Sequence, residues 1–194
     1  VFIYILGSGG SSIYTSDGTE NVVVYGAQLE ALPYATSYIP TSGGIQTRLA
    51  ETLERDNISH LINSEEGVLY VEMKVGGLNS GVNKQISITD GSTNNRVVIE
   101  IRENESKFRY YLNSNISFLE ASSTYNITDV DMYHKLALIW NNTSSSLFLN
   151  GVQILSGNHV GHPLNLSKIN INSSNFPFYG HIKDLRIYKT ALTD

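Results

Sequence analysis

Alternating apolar and polar positions dominate the chain from Tyr133 to Leu155 and predict three consecutive strands. The apolar runs Leu136-Leu138-Trp140 and Leu147-Leu149 are separated by a polar Asn/Thr/Ser segment, and the second run ends at Asn150-Gly151. An Asn-Gly dipeptide between apolar runs is typical of a type I′ hairpin turn, because both central residues of that turn need positive φ. The run Val152–Leu155 follows at once, so we expect an antiparallel three-stranded unit at the centre of a sheet.

The same two-residue period recurs through the rest of the chain after residue 67. Turn residues separate the runs about every 8–12 residues, which is the spacing of a sandwich or barrel. No long helical pattern competes, although the segment Ile45–Ile62 fits a helix or a strand and we prefer the strand. The predicted fold class is therefore all-β, an antiparallel β-sandwich of the jelly-roll kind. The further strands are expected at Val68–Val75, Gln85–Thr89, Arg96–Arg102, Lys107–Leu112, Ile116–Leu119, Leu166–Ile171 and Gly180–Tyr188.

The first third of the chain has a different organisation. Val1–Leu6 and Asn21–Tyr25 predict two strands, which cannot bury a core alone. Two prolines and a Gly-Gly pair between residues 33 and 45 predict an extended linker. We therefore expect residues 1–32 to be the last strands of a preceding β-sandwich module, 33–45 a linker, and 46–194 a second sandwich. The chain opens inside a strand pattern, so we also expect it to be a fragment.

The amino-acid composition and the net charge argue against several classes of binding partner. Charged residues make up 16% of the chain, against roughly 25% in an average globular protein, and 23 Ser and 19 Asn residues make the surface polar without charge. The net charge of −5 with no basic tract argues against nucleic acid as a partner. No apolar run reaches the length of a membrane span, so membrane insertion is not expected. The absence of cysteine excludes thiolate metal sites and a cysteine nucleophile.

Two segments carry a resemblance to known families. The junction reads VVVYGAQLEALPYATSYIPTSG and then TRLAETL. It resembles a segment of phage tail and virion proteins in which a carbohydrate-binding jelly roll leads into a second domain. The order GVLYVEMKV, YHKLALIWNNTSSSLFLNGVQI, FYGHIKDLRIYKTALTD resembles the concanavalin A-like lectin/glucanase sandwich in its laminin-G-like form. This second likeness covers most of residues 46–194, with Tyr133-His134-Lys135 where the family more often has Trp-His-His.

The hydrolase branch of that family uses a strand of the form Glu-x-Asp-x-x-Glu, and this chain lacks it. Only Glu100–Glu105 comes close, and Arg102 stands there without a second carboxylate on its face. Glycoside cleavage needs two carboxylic acids, so we expect these residues to be solvated charges of a strand. Gly-x-Ser-x-Gly is also absent, and the serine runs at 122–123 and 144–146 are expected in turns. The sequence predicts no enzyme.

Calcium is the metal ion that the sequence favours over zinc. Asp90 with Asn94 and Asn95 offers oxygen ligands in a loop, although these residues are equally good turn formers. Asp129 with Asp131 is a second such pair. His159 and His162 lack the further ligands of a zinc site, so we expect either a loop that simply contains two histidines or a contribution to a ligand rim.

Aromatic and amide side chains near loops are the remaining candidates for binding. Adjacent strand residues face opposite sides of a sheet, so one of Tyr110 and Tyr111 must point outward. Trp140 alternates with two leucines and is expected in the core. An aromatic ring stacks on the apolar face of a sugar while Asn and His side chains bind its hydroxyl groups. The predicted ligand-binding residues are Tyr110, Tyr111, Asn141, Asn142, His159, His162 and Tyr179.

The resemblance implies a non-catalytic carbohydrate-binding or adhesion module of a phage tail, fibre or other virion surface protein. Such a module recognises host-surface polysaccharide, lies at the virion surface or outside the cell, and assembles with other tail subunits as a homo-oligomer. Two alternatives stay open. One is a purely structural decoration or assembly domain of a virion, and the other is an accessory domain of a polysaccharide-degrading enzyme.

Overall fold

A computed structural model of the chain describes residues 26, 28–29, 37–40, 43–47, 52–78, 81–114, 117–172 and 178–192. The chain divides into two compact units, residues 1–48 and 49–194. In the first unit, the Ile39 N–H donates a hydrogen bond to Gln28 Oε1 (2.7 Å). The strands predicted at Val1–Leu6 and Asn21–Tyr25 lie outside the described residues, and the assignment of residues 1–32 and 33–45 stays a prediction.

The described part of the second unit consists almost entirely of strands. Two single-turn 3₁₀ helices, Ser59–Leu61 and Glu103–Glu105, interrupt them. The strands are β1 (Leu53–Arg55), β2 (Gly67–Val75), β3 (Lys84–Thr89), β4 (Arg96–Arg102), β5 (Lys107–Asn113), β6 (Phe118–Asn126), β7 (Tyr133–Trp140), β8 (Ser144–Leu149), β9 (Val152–Asn158), β10 (Lys168–Asn172) and β11 (Gly180–Tyr188).

These strands form two antiparallel sheets. The six-stranded sheet has the order β1-β10-β3-β4-β5-β6, and the five-stranded sheet has the order β11-β2-β7-β8-β9. One hydrophobic core takes side chains from both sheets. The predicted all-β sandwich is confirmed.

The three strands between Tyr133 and Asn158 pair as their pattern predicts, but β9 is an edge strand, so the expectation that this unit lies at the centre of its sheet is wrong. Strands β7, β8 and β9 pair in sequence order, and Asn150 and Gly151 have φ values of 51° and 85°. The Asn150 N–H donates to the Lys135 carbonyl (2.8 Å), and the Lys135 N–H donates to Asn150 Oδ1 (3.0 Å). The asparagine therefore closes the turn with both its backbone and its side chain.

Alternation places the predicted apolar faces in the core. Leu69, Val71, Met73 and Val75 of β2 are each at most 1% exposed. Trp140 is fully buried, as expected, and its Nε1–H donates to the Ser64 carbonyl (3.3 Å). The indole ring lies directly over Gly67, where a Cβ atom would come 2.7 Å from the ring and 2.6 Å from the Tyr188 carbonyl.

The serine runs differ from their prediction. Ser122 and Ser123 lie within β6, and the run 144–146 starts β8. Ser145 is 2% exposed and donates through Oγ to the Tyr110 hydroxyl (3.0 Å). A serine can occupy a strand when its hydroxyl finds a partner, and composition alone does not reveal that partner. Strand β6 also runs to Asn126, beyond the predicted end at Leu119.

A buried ion pair joins the start of β3 to the 3₁₀ helix after β4. The side chains of Lys84 and Glu103 are each 1% exposed and form a salt bridge. Lys84 Nζ also donates to the Gly77 carbonyl (2.7 Å). Burial lowers the pKa of Lys84 to about 8. Glu103 Oε2 is buried and has no hydrogen-bond partner among the described residues.

Candidate functional site

Most of the predicted site residues lie at one end of the sandwich. This turn end consists of the β3–β4 turn (90–95), Ser114 and Ser117 of the β5–β6 turn, the β7–β8 turn (141–143) and the loop 159–167. The loop is bonded to all three turns, because the His159 N–H donates to the Thr143 carbonyl (2.9 Å), the Leu164 N–H to Asn95 Oδ1 (3.0 Å) and Ser117 Oγ to the Val160 carbonyl (2.6 Å). The turn end is therefore a single bonded surface.

The two asparagines of the β7–β8 turn have different surroundings. Asn141 Oδ1 accepts hydrogen bonds from the backbone N–H groups of Thr143 (2.9 Å) and Ser144 (2.8 Å), so this side chain shapes the turn. Asn142 is exposed at the tip. Of the pair, Asn142 is the one whose amide can reach a ligand.

The two histidines also differ. His159 Nδ1 donates to the Gly161 carbonyl (2.7 Å), and its Nε2 is buried with no hydrogen-bond partner among the described residues. His162 is half-buried on the same loop. Within the described ranges no three His, Asp or Glu side chains are grouped to hold a metal ion. Both histidines lie on the loop 159–167 at the turn end, and their part in a ligand rim stays a prediction.

The β3–β4 turn does not fit a calcium ion. Asp90 Oδ1 accepts from the Ser92 backbone N–H (2.8 Å) and hydroxyl (2.7 Å), and Oδ2 accepts from Asn95 Nδ2 (2.9 Å). Burial acts to raise the pKa of Asp90, but these hydrogen bonds outweigh it and leave the pKa below its ordinary value. Asn94 lies at the exposed tip and donates its backbone N–H to Ser92 Oγ (3.1 Å). Calcium takes about 6–8 oxygen ligands. Both Asp90 oxygens already accept hydrogen bonds from protein donors, so we expect no calcium at this turn.

Tyr110 and Tyr111 point to opposite sides of the six-stranded sheet, as alternation requires. Tyr110 lies in the core and is fully buried, so it is not part of a binding surface. Tyr111 faces outward, yet only 4% of its area is exposed. Arg96, Arg109 and Phe118 all lie close to that ring, so an outward-facing residue of this sheet is not thereby exposed to solvent.

Tyr179 lies away from the other predicted residues. Its carbonyl accepts a hydrogen bond from the Gly76 N–H (3.0 Å), where β2 ends and β11 is about to begin. The opposite ends of β2 and β7 lead to the turn end, since Gly67 pairs with Trp140. Tyr179 therefore does not join the same site.

An aromatic and cationic patch lies on the outer face of the six-stranded sheet next to the turn end. This Phe118 patch consists of Arg96, Tyr111, Asn113 and Phe118. The register places Asn113 directly opposite both Arg96 on β4 and Phe118 on β6. The Phe118 ring is 57% exposed and its centroid lies 5.8 Å from that of Tyr111. Asn113 Nδ2 donates to the Thr93 carbonyl (2.6 Å), which fixes the patch to the β3–β4 turn.

The charged residues beside the patch form a closed network. Arg109 pairs with both Glu100 and Glu120, and Gln85 Nε2 donates to Glu100. Glu100 is 1% exposed, so its prediction as a solvated strand charge is wrong. A glycosidase holds the sugar between two carboxyl groups, but here a guanidinium joins them. The network stabilises the sheet face and does not present an acid–base pair.

Burial keeps the Tyr111 hydroxyl, at the centre of the patch, uncharged. It raises the pKa of Tyr111 to about 12, although the nearby Arg96 charge acts in the opposite direction. The phenol is therefore a neutral group throughout the physiological range. The surface thus offers an exposed ring, amide groups and one guanidinium.

Three residues of this patch, Arg96, Asn113 and Phe118, were missed by sequence reasoning. Phe118 begins β6, and its exposure on an edge strand follows from the pairing of β6 with β5 alone. Arg96 begins β4 and shares the outward face with Tyr111. The available signal was the alternation in Arg96–Arg102 and Lys107–Asn113, which puts Arg96 and Tyr111 on the face away from the core once the apolar positions are placed inside.

Solved structures with this architecture include sugar-binding modules. The CBM40 module of the Ruminococcus gnavus IT-sialidase has a TM-score of 0.57 and 16% identity, with 76% of this chain and 91% of that one covered. Domain 4 of AbnA, an extracellular GH43 arabinanase from Geobacillus stearothermophilus in complex with arabinotriose, has a TM-score of 0.57 and 20% identity, covering 69% of this chain and 65% of that one. The SAP-like pentraxin of Limulus polyphemus has a TM-score of 0.57 and 15% identity, covering 77% and 75%. These likenesses show the fold.

No curated protein sequence matches the chain significantly. No described helix is long and apolar enough to cross a membrane. Residues 71–194, more than half of the chain, match the laminin G family model described as the concanavalin A-like lectin/glucanases superfamily. With the two-sheet sandwich, this match shows that the chain belongs to that superfamily.

Proposed function

We propose that the chain is a non-catalytic carbohydrate-binding module that holds a glycan where the Phe118 patch meets the turn end. The observation that carries this proposal is the exposed Phe118 ring on an ordered strand. A large exposed aromatic ring costs free energy in water, and a sugar ring that stacks on it removes that cost. Rigid placement lowers the entropy lost on binding.

Polar side chains around the ring suit the hydroxyl groups of a sugar. Asn113 lies next to Phe118 across the strand pair, while Ser92, Thr93 and Asn94 are exposed on the neighbouring turn. Ser117 ties this side of the patch to the loop that carries His159 and His162. Amide and hydroxyl groups both donate and accept, which matches the paired character of sugar hydroxyls.

The structural neighbours support this reading. The R. gnavus module was solved with sialyllactose and the AbnA domain with arabinotriose. Recognition of a host-surface polysaccharide by a phage tail or other extracellular virion protein, in an assembly of several copies, is the biological setting that we propose on the resemblance of the residue 22–53 junction.

The test is a glycan array followed by affinity gels with the bound polysaccharide. Truncating an aromatic residue at the centre of a binding surface costs about 2 kcal/mol or more, so Phe118→Ala is expected to weaken binding by roughly 30-fold. Val152→Ala is the matched control, because Val152 is 66% exposed on the edge strand of the other sheet. Binding that survives Phe118→Ala unchanged would contradict this placement of the site.

An assembly role is the second candidate, and a separate face supports it. The outer face of the five-stranded sheet exposes Tyr133 (41%) and Tyr188 (43%), with Arg186 5.9 Å from the Tyr70 ring centroid. Tyr and Arg are enriched at protein–protein interfaces. Light scattering over a concentration series tests this role, with Tyr188→Ser expected to shift any oligomer towards monomer.

A further inference from the structure

Arg96 differs from the other arginines of the two sheets, of which all but the exposed Arg55 pair with a carboxylate of a described residue. Arg102, Arg109 and Arg186 each pair with a carboxylate within 4 Å. Arg96 has no ion pair with any described residue, and its buried Nε has no hydrogen-bond partner there. A guanidinium cannot lose its proton at physiological pH, so a half-buried one without a partner is unfavourable until an anion arrives.

The surroundings of Arg96 favour a planar anion. Its Cζ lies 4.8 Å from the centroid of the Tyr111 ring, which holds the guanidinium over the aromatic face. The planar guanidinium carries its N–H groups in a rigid fork, which can form a bidentate pair with a carboxylate. The two outward carboxylates nearest to it along the sheet, Glu100 and Glu120, are already joined to Arg109. The positive charge of Arg96 therefore remains available.

Arg96 and the exposed Phe118 ring are separated by a distance that suits a sugar. Arg96 faces Asn113 on the next strand, and Asn113 faces Phe118 on the strand after that. Two inter-strand steps span about 10 Å. A pyranose ring stacked on Phe118 can thus direct a substituent towards the guanidinium, with the Asn113 position between them.

We propose that the Phe118 patch binds acidic glycans, in which Arg96 binds the sugar carboxylate and Phe118 stacks on the sugar ring. This inference rests on the proposed carbohydrate-binding function and adds the chemical class of the ligand. It also explains why an unpaired guanidinium is kept beside a neutral, buried tyrosine in a protein of net charge −5.

The experiment uses the full chain on an array that contains carboxylated, sulfated and neutral glycans. Binding concentrated on carboxylated glycans is expected, and Arg96→Gln should weaken it by about 10- to 100-fold, since hydrogen bonds to charged groups are the strong ones. Arg96→Lys keeps the charge but loses the planar fork, so an intermediate loss is expected. Arg55→Gln, on the edge strand β1 at the far side of the six-stranded sheet from β6, is the matched control and should leave binding unchanged.

A second arm converts the carboxylates of a bound glycan into methyl esters, which removes their charge and keeps the sugar. We expect the methyl-esterified glycan to bind the parent protein as weakly as the free carboxylated glycan binds the Arg96→Gln variant. Each variant is first compared with the parent by thermal unfolding, so that loss of binding is not loss of fold.

The remaining outcomes separate the two proposals. Neutral glycans bound equally by the parent and by Arg96→Gln would overturn the acidic class and leave the carbohydrate-binding function standing. If the protein prefers sulfated glycans and Arg96→Gln weakens their binding, the proposal of a carboxylate ligand is overturned. The proposal of an anion site at Arg96 then stands. No binding to any glycan would overturn both.

Discussion

The buried Lys84–Glu103 pair predicts a stability pattern that depends on whether one or both partners are replaced. Each side chain is 1% exposed, and Lys84 has the Gly77 carbonyl as its second partner. Removing one member of a buried ion pair leaves an uncompensated charge and costs about 3–5 kcal/mol. Glu103→Gln should therefore lower the Tm of the second unit by roughly 6–20 °C.

Replacing both partners should recover most of this loss. In the double variant Lys84→Met/Glu103→Leu no buried charge remains, and the main residual cost is the lost donor to Gly77, about 1–3 kcal/mol. We expect its free energy of unfolding to lie above those of Lys84→Met and Glu103→Gln. Trp140 is the only tryptophan and is fully buried, so its fluorescence in urea reports unfolding of this unit.

The pH dependence gives an independent readout. Lys84 has a folded pKa of about 8 and a reference value of 10.5. Between these values the unfolded chain binds more protons, so this group makes stability rise with pH by up to about 3.4 kcal/mol. The rise should be absent in Lys84→Met. A double variant less stable than either single variant, or a parent and Lys84→Met with identical pH profiles, would refute the reasoning.

Three further perturbations follow from the structure. Gly67→Ala should destabilise the second unit by about 1–3 kcal/mol and shift Trp140 emission, because the new Cβ would overlap the indole ring and the Tyr188 backbone; unchanged urea unfolding would contradict this. Tyr111 has a raised pKa of about 12, so the parent should lose stability as the pH rises from about 10 to 12 by up to 2.7 kcal/mol, and Tyr111→Phe should not show this loss. Calcium should change the Tm by less than about 1 °C relative to EDTA, because the Asp90 carboxylate is already occupied by hydrogen bonds; a larger rise in calcium would show a site there.

The strands were predictable wherever apolar side chains alternate. Val68–Val75 and the Asn150-Gly151 hairpin carry strong local signals, and both form as expected. Ser145 was not predictable, because its place in a buried strand depends on the Tyr110 hydroxyl, 35 residues away. A polar residue with a distant partner gives no local signal.

The candidate site was only partly predictable for a similar reason. The turns that contain Asn141, His159 and Asn95 were expected separately, and their contact through loop 159–167 depends on sheet order. The burial of Tyr111 depends on Arg96 and Phe118, which belong to two other strands. The exposure of an outward residue depends on side chains of the neighbouring strands. The alternation within a single strand does not predict it.

The Asn150-Gly151 turn is also a site where the protein changes chemically with time. Asparagine followed by glycine loses its amide when the glycine nitrogen attacks the side-chain carbonyl, and the isoaspartate that results lengthens the backbone by one methylene. A two-residue turn has no slack for that extra atom, and the Asn150 side-chain oxygen Oδ1, which accepts from the Lys135 N–H, is displaced in the product. Damage at this one dipeptide would therefore loosen the β8–β9 hairpin, so preparations of the protein will lose order from the edge strand β9 of the five-stranded sheet inward.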